Sequence, residues 1–191
     1  MKIFDCSMYF DEEAVLDVRL NTLDQFVDYF VIIESKSTHR GDKRQLKFNH
    51  ENFKKFKDKI IYLIYDETSN NIETVNDKDG EAVNSGKYIL NAALRENGQR
   101  NYIQSGLKKA DDLFDKGKEI FLYDGNCATC HTLKDANSYG NIGPNLNEIM
   151  PDIARVLSAV TNGIGVMPAY ESILSAEEIK AVAIYVSEST N

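Results

Sequence analysis

Hydrophobic positions fall into two stretches with different periods. Up to about residue 65, short apolar runs alternate with helical spacings. Lys2-Ile3-Phe4-Asp5-Cys6 predicts a first strand. Between Glu12 and Leu23, the residues Val15, Leu16, Leu20 and Leu23 recur at the spacing of one buried helix face. Tyr29-Phe30-Val31-Ile32-Ile33 is a continuous apolar run, the pattern of a strand covered on both faces in a parallel sheet. A basic loop, Ser35 to Lys47, turns at Gly41. A short helix then carries Phe53 and Phe56, and Ile60-Ile61-Tyr62-Leu63-Ile64 predicts a third strand. Strands alternating with helices predict βαβ units.

Asp66 to Lys87 is polar and reads as a long loop. Tyr88 to Leu107 is helical, with Leu90, Ala93, Leu94, Tyr102, Ile103 and Leu107 on repeating positions. From about Ala110, helices separated by Gly- and Pro-containing loops replace the strand pattern. Their predicted spans are Asp111 to Tyr123, Asp152 to Thr161 and Ala176 to Ser187. Ser175 followed by Glu178 predicts a capping box for the last one. The expected organisation is therefore an α/β region over 1–110 and an all-α domain over 111–191.

Cys127-Ala128-Thr129-Cys130-His131 is C-x-x-C-H, the attachment signature of c-type haem. Two thiols must reach two vinyl groups on one porphyrin edge, so they cannot sit far apart. The next residue, His131, is then placed to ligate the iron. A C-x-x-C pair can instead be a redox dithiol or half of a zinc site. A zinc site would need a fourth ligand, and Cys6, His39 and His50 are the only other Cys or His residues. Cys6 reads as a buried structural thiol. His39 and His50 read as solvated, and Lys54, Lys55, Lys57 and Lys59 as a solvated helix face.

The order of features around the motif resembles the class I cytochrome c family. A helix ending in Phe121-Leu122-Tyr123 runs into the motif. Ile142-Gly143-Pro144-Asn145-Leu146 follows it, and Gly163-Ile164-Gly165-Val166-Met167-Pro168-Ala169-Tyr170 precedes the final helix. The resemblance implies one covalent haem c. The Pro144 carbonyl would accept the His131 imidazole N–H and so fix the ring, and Met167 would be the sixth ligand. Met150, in Asn-Glu-Ile-Met-Pro, reads as a packing residue at a helix start. His/Met ligation suits one-electron transfer and leaves no open position for a substrate. Ile142, Leu146, Ile149, Val156, Val160, Tyr170, Ile179, Val182 and Tyr185 are the expected haem wall and core.

Met1 to about Leu107 resembles the N-terminal part of glycosyltransferase family 17. The matching stretches are Lys2 to Cys6, Asp28 to Ser35, Gln99-Arg100-Asn101-Tyr102-Ile103 and Gly106-Leu107. The resemblance implies an incomplete GT-A or Rossmann-like sheet. Glu34-Ser35 and the basic loop would begin a nucleotide-sugar pocket that Arg100 and Asn101 line. The family continues into a strand ending in a metal-binding Asp-x-Asp motif. Here Asp111-Asp112 lacks that strand and spacing, so the region reads as a glycosyltransferase remnant with no visible catalytic centre.

Net charge over the 191 residues is −8, which argues against a nucleic-acid partner, since there is no basic excess to neutralise phosphates. Residues from Asp115 onward carry five Lys or Arg against ten Asp or Glu, a balance of −5. This suits solubility, or docking to a redox partner with a basic face. No apolar run reaches the roughly 18–20 residues of a membrane span. The haem motif implies an extracytoplasmic site, yet the start, MKIFDCSMYFDEE, shows no signal-peptide pattern. Three explanations are open: export by a route the sequence does not show, a start elsewhere, or a join of two genes, which the switch near 108–116 favours.

Overall fold

The structure is a computed structural model that describes residues 2–67 and 71–190. It divides into two compact units, Met1–Lys108 and Lys109–Asn191.

The N-terminal unit is built on a parallel sheet of three strands in the order β1 (Phe4–Tyr9), β2 (Tyr29–Ser35) and β3 (Ile60–Tyr65). Phe4 pairs with Tyr29, and Phe30 with Ile60. Every residue of the central strand β2 is buried, as its unbroken apolar run requires. Helix α1 (Glu13–Leu23) and a 3₁₀ helix (His50–Phe56) supply Leu16, Leu20, Phe53 and Phe56 to a core with Phe30 and Ile32. Val15 does not join them. It is 68% exposed, because the buried face is narrower than the apolar pattern. Lys59 departs from the expected solvated run: its ammonium donates to the carbonyls of Asp24 and Val27 and pairs with Asp24. His39 and His50 are exposed, the latter edge-on to Phe48 and Tyr62.

Two helices follow, α2 (Glu81–Asn101) and α3 (Ile103–Glu119). The expected loop over 66–87 is thus shorter. Of it, 68–70 lie outside the described residues, and α2 begins at Glu81. Polar ties hold the loop to α2. Asn91 exchanges two hydrogen bonds with the Glu73 backbone, both 2.8 Å, and Lys87 pairs with Asp79 at 2.7 Å. The buried residues of α2 are accordingly Asn91 and Gln99, while Tyr88, Ile89 and Leu90 are exposed. In α3 a Cβ on Gly106 would lie 2.5 Å from Val31, so the helix backbone rests on the sheet.

The C-terminal unit is mainly helical. Helix α3 does not restart at residue 111; it runs through and ends in a π-helical turn, Ile120–Asp124. A two-residue ladder, β4 (Thr132–Leu133) with β5 (Ser138–Tyr139), is the exception to an all-α unit. Helices α4 (Leu146–Ile149), α5 (Ile153–Asn162) and α6 (Ala176–Thr190) complete it. The cap of α6 forms as the sequence predicts: Glu178 N–H donates to Ser175 Oγ, and Ser175 N–H donates to the Glu178 carboxylate. The core joins Ile120, Phe121, Leu146, Val156, Val160, Val182 and Tyr185.

Candidate functional site

The C-x-x-C-H segment is a single 3₁₀ turn. Asn126, with φ of +48°, opens it in the left-handed region that Asn tolerates. The Cys127 carbonyl then accepts from the amides of Cys130 and His131, each at 3.0 Å. Cys127, Cys130 and His131 all line a cavity of about 340 Å³. His131 Nδ1 lies 3.0 Å from the Pro144 carbonyl oxygen. With the proton on Nδ1, that nitrogen donates to the carbonyl and Nε2 is left as the available ligand. Gly143 is needed beneath the ring: a Cβ there would lie 2.5 Å from His131 Cε1.

Met167 lines the same cavity. Its turn is closed by reciprocal bonds, Ile164 N–H to the Met167 carbonyl at 3.2 Å and Met167 N–H to the Ile164 carbonyl at 3.0 Å. Gly163 and Gly165 have φ of +73° and +60°, which glycine adopts without strain. Pro144, Leu146, Val156, Val160 and Val182 give the cavity its apolar wall. Ile142 and Ile149 line it too, but are partly open to solvent rather than in the core. Met150 is not the packing residue its position suggests. It ends α4 at φ of +38°, is 57% exposed and stays outside the cavity wall.

The donor chemistry bears on the readings of the cysteines. Burial pushes the Cys127 thiol up to about 11, whereas a reactive dithiol needs a lowered value. Among the described residues, no three His, Cys, Asp or Glu side chains cluster to hold a metal ion. An apolar cavity with two thiols, an oriented imidazole and a thioether on its wall fits a covalently bound haem. The resemblance implied that the Gly143-Pro144 loop backs His131, but gave Gly143 no role of its own as the floor of the imidazole. The sequence reading missed Asn126 and Arg155, which line the cavity without a periodic signal.

The N-terminal unit has a polar cavity of about 470 Å³ at the carboxyl ends of β1 and β2, lined by Tyr9, Ser35, Ser37, Arg40, Arg44 and Gln99 among others. Glu34 is fully buried and does not open onto it. Its carboxylate accepts from Arg44 at 2.9 Å, Lys47 N–H at 2.7 Å, Phe48 N–H at 3.1 Å and the Tyr62 hydroxyl at 2.7 Å. Arg100 and Asn101 are absent from the lining; Arg100 pairs with Glu96 on the surface of α2. Gln99, one residue earlier and about 100° round the helix, is the residue that turns in. Cys6 is only partly buried, and burial raises its thiol first, then Asp5.

Comparison with known proteins agrees with this division. The sequence model of glycosyltransferase family 17 matches residues 1–119, and that of cytochrome c oxidase, cbb3-type, subunit III matches 112–186. Cytochrome c6 of Microcystis aeruginosa is 36% identical over 34% of this chain and 85% of its own length. The cbb3-type oxidase subunit CcoP of Azospirillum brasilense is 34% identical over 44% of this chain; the match spans only 32% of that subunit. The crystal structure of the c-type cytochrome SorU from Sinorhizobium meliloti is 57% identical over 41% of this chain and 91% of that one, with a TM-score of 0.39. The chain therefore belongs to glycosyltransferase family 17 in its N-terminal part and, in its C-terminal part, to the c-type cytochromes, a family that holds haem c covalently and transfers single electrons.

Proposed function

We propose that the C-terminal unit is a one-electron carrier in which Cys127 and Cys130 attach one haem c, with His131 and Met167 as the axial pair. The observation that carries this reading is the convergence of all four side chains, and of Pro144, on one apolar cavity. The haem, when bound, supplies a reversible one-electron iron couple, and a thioether ligand favours the reduced state. Pro144 fixes the imidazole through its carbonyl. The aliphatic wall gives the group an apolar surround. The balance of −5 from Asp115 onward supports a redox partner with a basic face. The test is a reduced-minus-oxidised spectrum and a pyridine haemochrome of protein made in a host with c-type maturation machinery. A c-type band that survives acid–acetone extraction, and that Cys127→Ala with Cys130→Ala abolishes, supports the reading. Met167→Ala is expected to lose the methionine-ligated spectrum and to lower the potential; an unchanged spectrum overturns the Met167 assignment.

A second reading concerns the N-terminal unit. We infer that its sheet is the opening part of a GT-A-like fold and that the polar cavity is where a nucleotide sugar would bind. Ligands of α/β proteins gather at the carboxyl ends of parallel strands, where this cavity lies. Asp111 and Asp112 lie within α3, not at a strand end, which does not suit them to hold a bridging metal. A thermal shift with a UDP-sugar and a divalent metal would support the reading; none at millimolar ligand ends it.

A further inference from the structure

We infer that Tyr170 is a positioning residue that holds the Met167 turn closed over the haem cavity, by a hydrogen bond from its hydroxyl to the backbone just ahead of the cysteine motif. The inference rests on the proposed Met167 ligation. The Tyr170 hydroxyl donates to the Gly125 carbonyl at 2.9 Å across 45 residues of chain. Gly125 stands two residues before Cys127, and Tyr170 three residues after Met167. The bond therefore joins the segment that would bear the ligand to the segment that would anchor the cofactor.

Both ends of this clasp are fixed. Gly125 N–H donates to the Ile120 carbonyl at 2.8 Å, the last bond of the π-helical turn. Tyr170 N–H donates to the Val160 carbonyl at 2.9 Å, and the Tyr170 carbonyl accepts from Ile173 and Leu174. Between these anchors the Met167 turn is closed on itself by its two bonds to Ile164, and Ile164 and Val166 are largely exposed. Tyr170 is among the residues that line the cavity, and Tyr170→Phe keeps the ring and removes only the hydroxyl.

Carbon monoxide tests this, because it binds the reduced iron only when the methionine has left. The full chain carrying haem is compared as wild type, Tyr170→Phe, Met167→Ala and Tyr185→Phe. The last is a control: it removes a hydroxyl bonded to Asp135 at 2.8 Å in the same unit, from a side chain outside the cavity lining. Tyr170→Phe is expected to bind carbon monoxide about fivefold faster than wild type, the effect of one neutral hydrogen bond on the closed turn. Tyr185→Phe should match wild type under native conditions even if it melts earlier. Equal rates for wild type, Tyr170→Phe and Tyr185→Phe, with fast binding by Met167→Ala, overturn the clasp but leave the ligation intact. Equal acceleration in both tyrosine variants also overturns it, since general loosening then suffices. If Met167→Ala binds no faster than wild type, the ligation reading itself fails.

Discussion

Glu34 is the residue where physical accounting most changes the interpretation. A carboxylate with no exposed surface persists only if donors take up its lone pairs, and four do so here. Tyr62 shows the other side of the arrangement: burial, then the bond to Glu34, raises its phenol well above the ordinary value. Arg44 is committed as well. Its guanidinium also bonds the carbonyls of Ser35 and Phe10 and lies over the Phe10 ring. Arg44→Ala strands a buried charge and should destabilise the N-terminal unit by about 3 kcal/mol in urea unfolding, against about 1 kcal/mol for Tyr62→Phe. An Arg44→Ala protein as stable as wild type would instead free Arg44 for a ligand. In the other unit, Gly143→Ala brings a methyl group against the His131 ring. The expected result is a lower yield of covalent haem and a displaced potential, read by haemochrome and redox titration. The sequence marked Cys127, Cys130 and His131 because their spacing is itself the chemistry. It could not mark Glu34 as structural, since its four donors come from two separate segments, the 44–48 loop and β3.

Among the elements, β2 and α6 follow their sequence patterns, whereas α2 and α3 do not. An apolar stripe predicts the buried face only when the helix packs on an apolar partner. Helix α2 instead packs through Asn91 and Gln99, which answer backbone groups of a loop and of β2. Helix α3 shows a contact no periodicity reveals. A Cβ on Gly117 would lie 2.1 Å from the Ala181 carbonyl oxygen, so α3 and α6 cross backbone to backbone there. Around that point Phe114 and Phe121 pack their rings edge-on to Tyr185 at 5.1 and 5.7 Å. Alanine normally favours a helix over glycine by up to about 1 kcal/mol. Here the overlap is with backbone, which cannot rotate away. Gly117→Ala should therefore lower the stability of the C-terminal unit by about 1–3 kcal/mol, measured by urea unfolding. A more stable variant would show that the helices separate at no cost.

For the molecule as a whole, the two units have separate cores and separate cavities. Among the described residues no helix is long and apolar enough to cross a membrane. Acid should act on the C-terminal unit through Asp135. Its bond to Lys118, and then that to Tyr185, hold the carboxyl below its ordinary value of 3.8. A lowered value in the folded state contributes stability that is complete above 3.8 and is lost as pH falls through the folded value. Asp135→Asn should flatten the fall in stability below about pH 4, followed by circular dichroism; an unchanged acid profile would remove Asp135 from the account. What the sequence by itself determined was whatever neighbouring residues encode: the C-x-x-C-H turn, the Met turn that follows two glycines, the buried central strand and the capping box of α6. Local spacing sets these through backbone geometry and hydrophobic period. Only the tertiary structure decided that Gln99 rather than Arg100 faces the polar cavity, that Glu34 is sealed by Arg44, that Gly117 seats α3 on Ala181, and that Tyr170 reaches Gly125. Each depends on groups from different elements, whose meeting is set by packing and by the need to satisfy buried polar atoms.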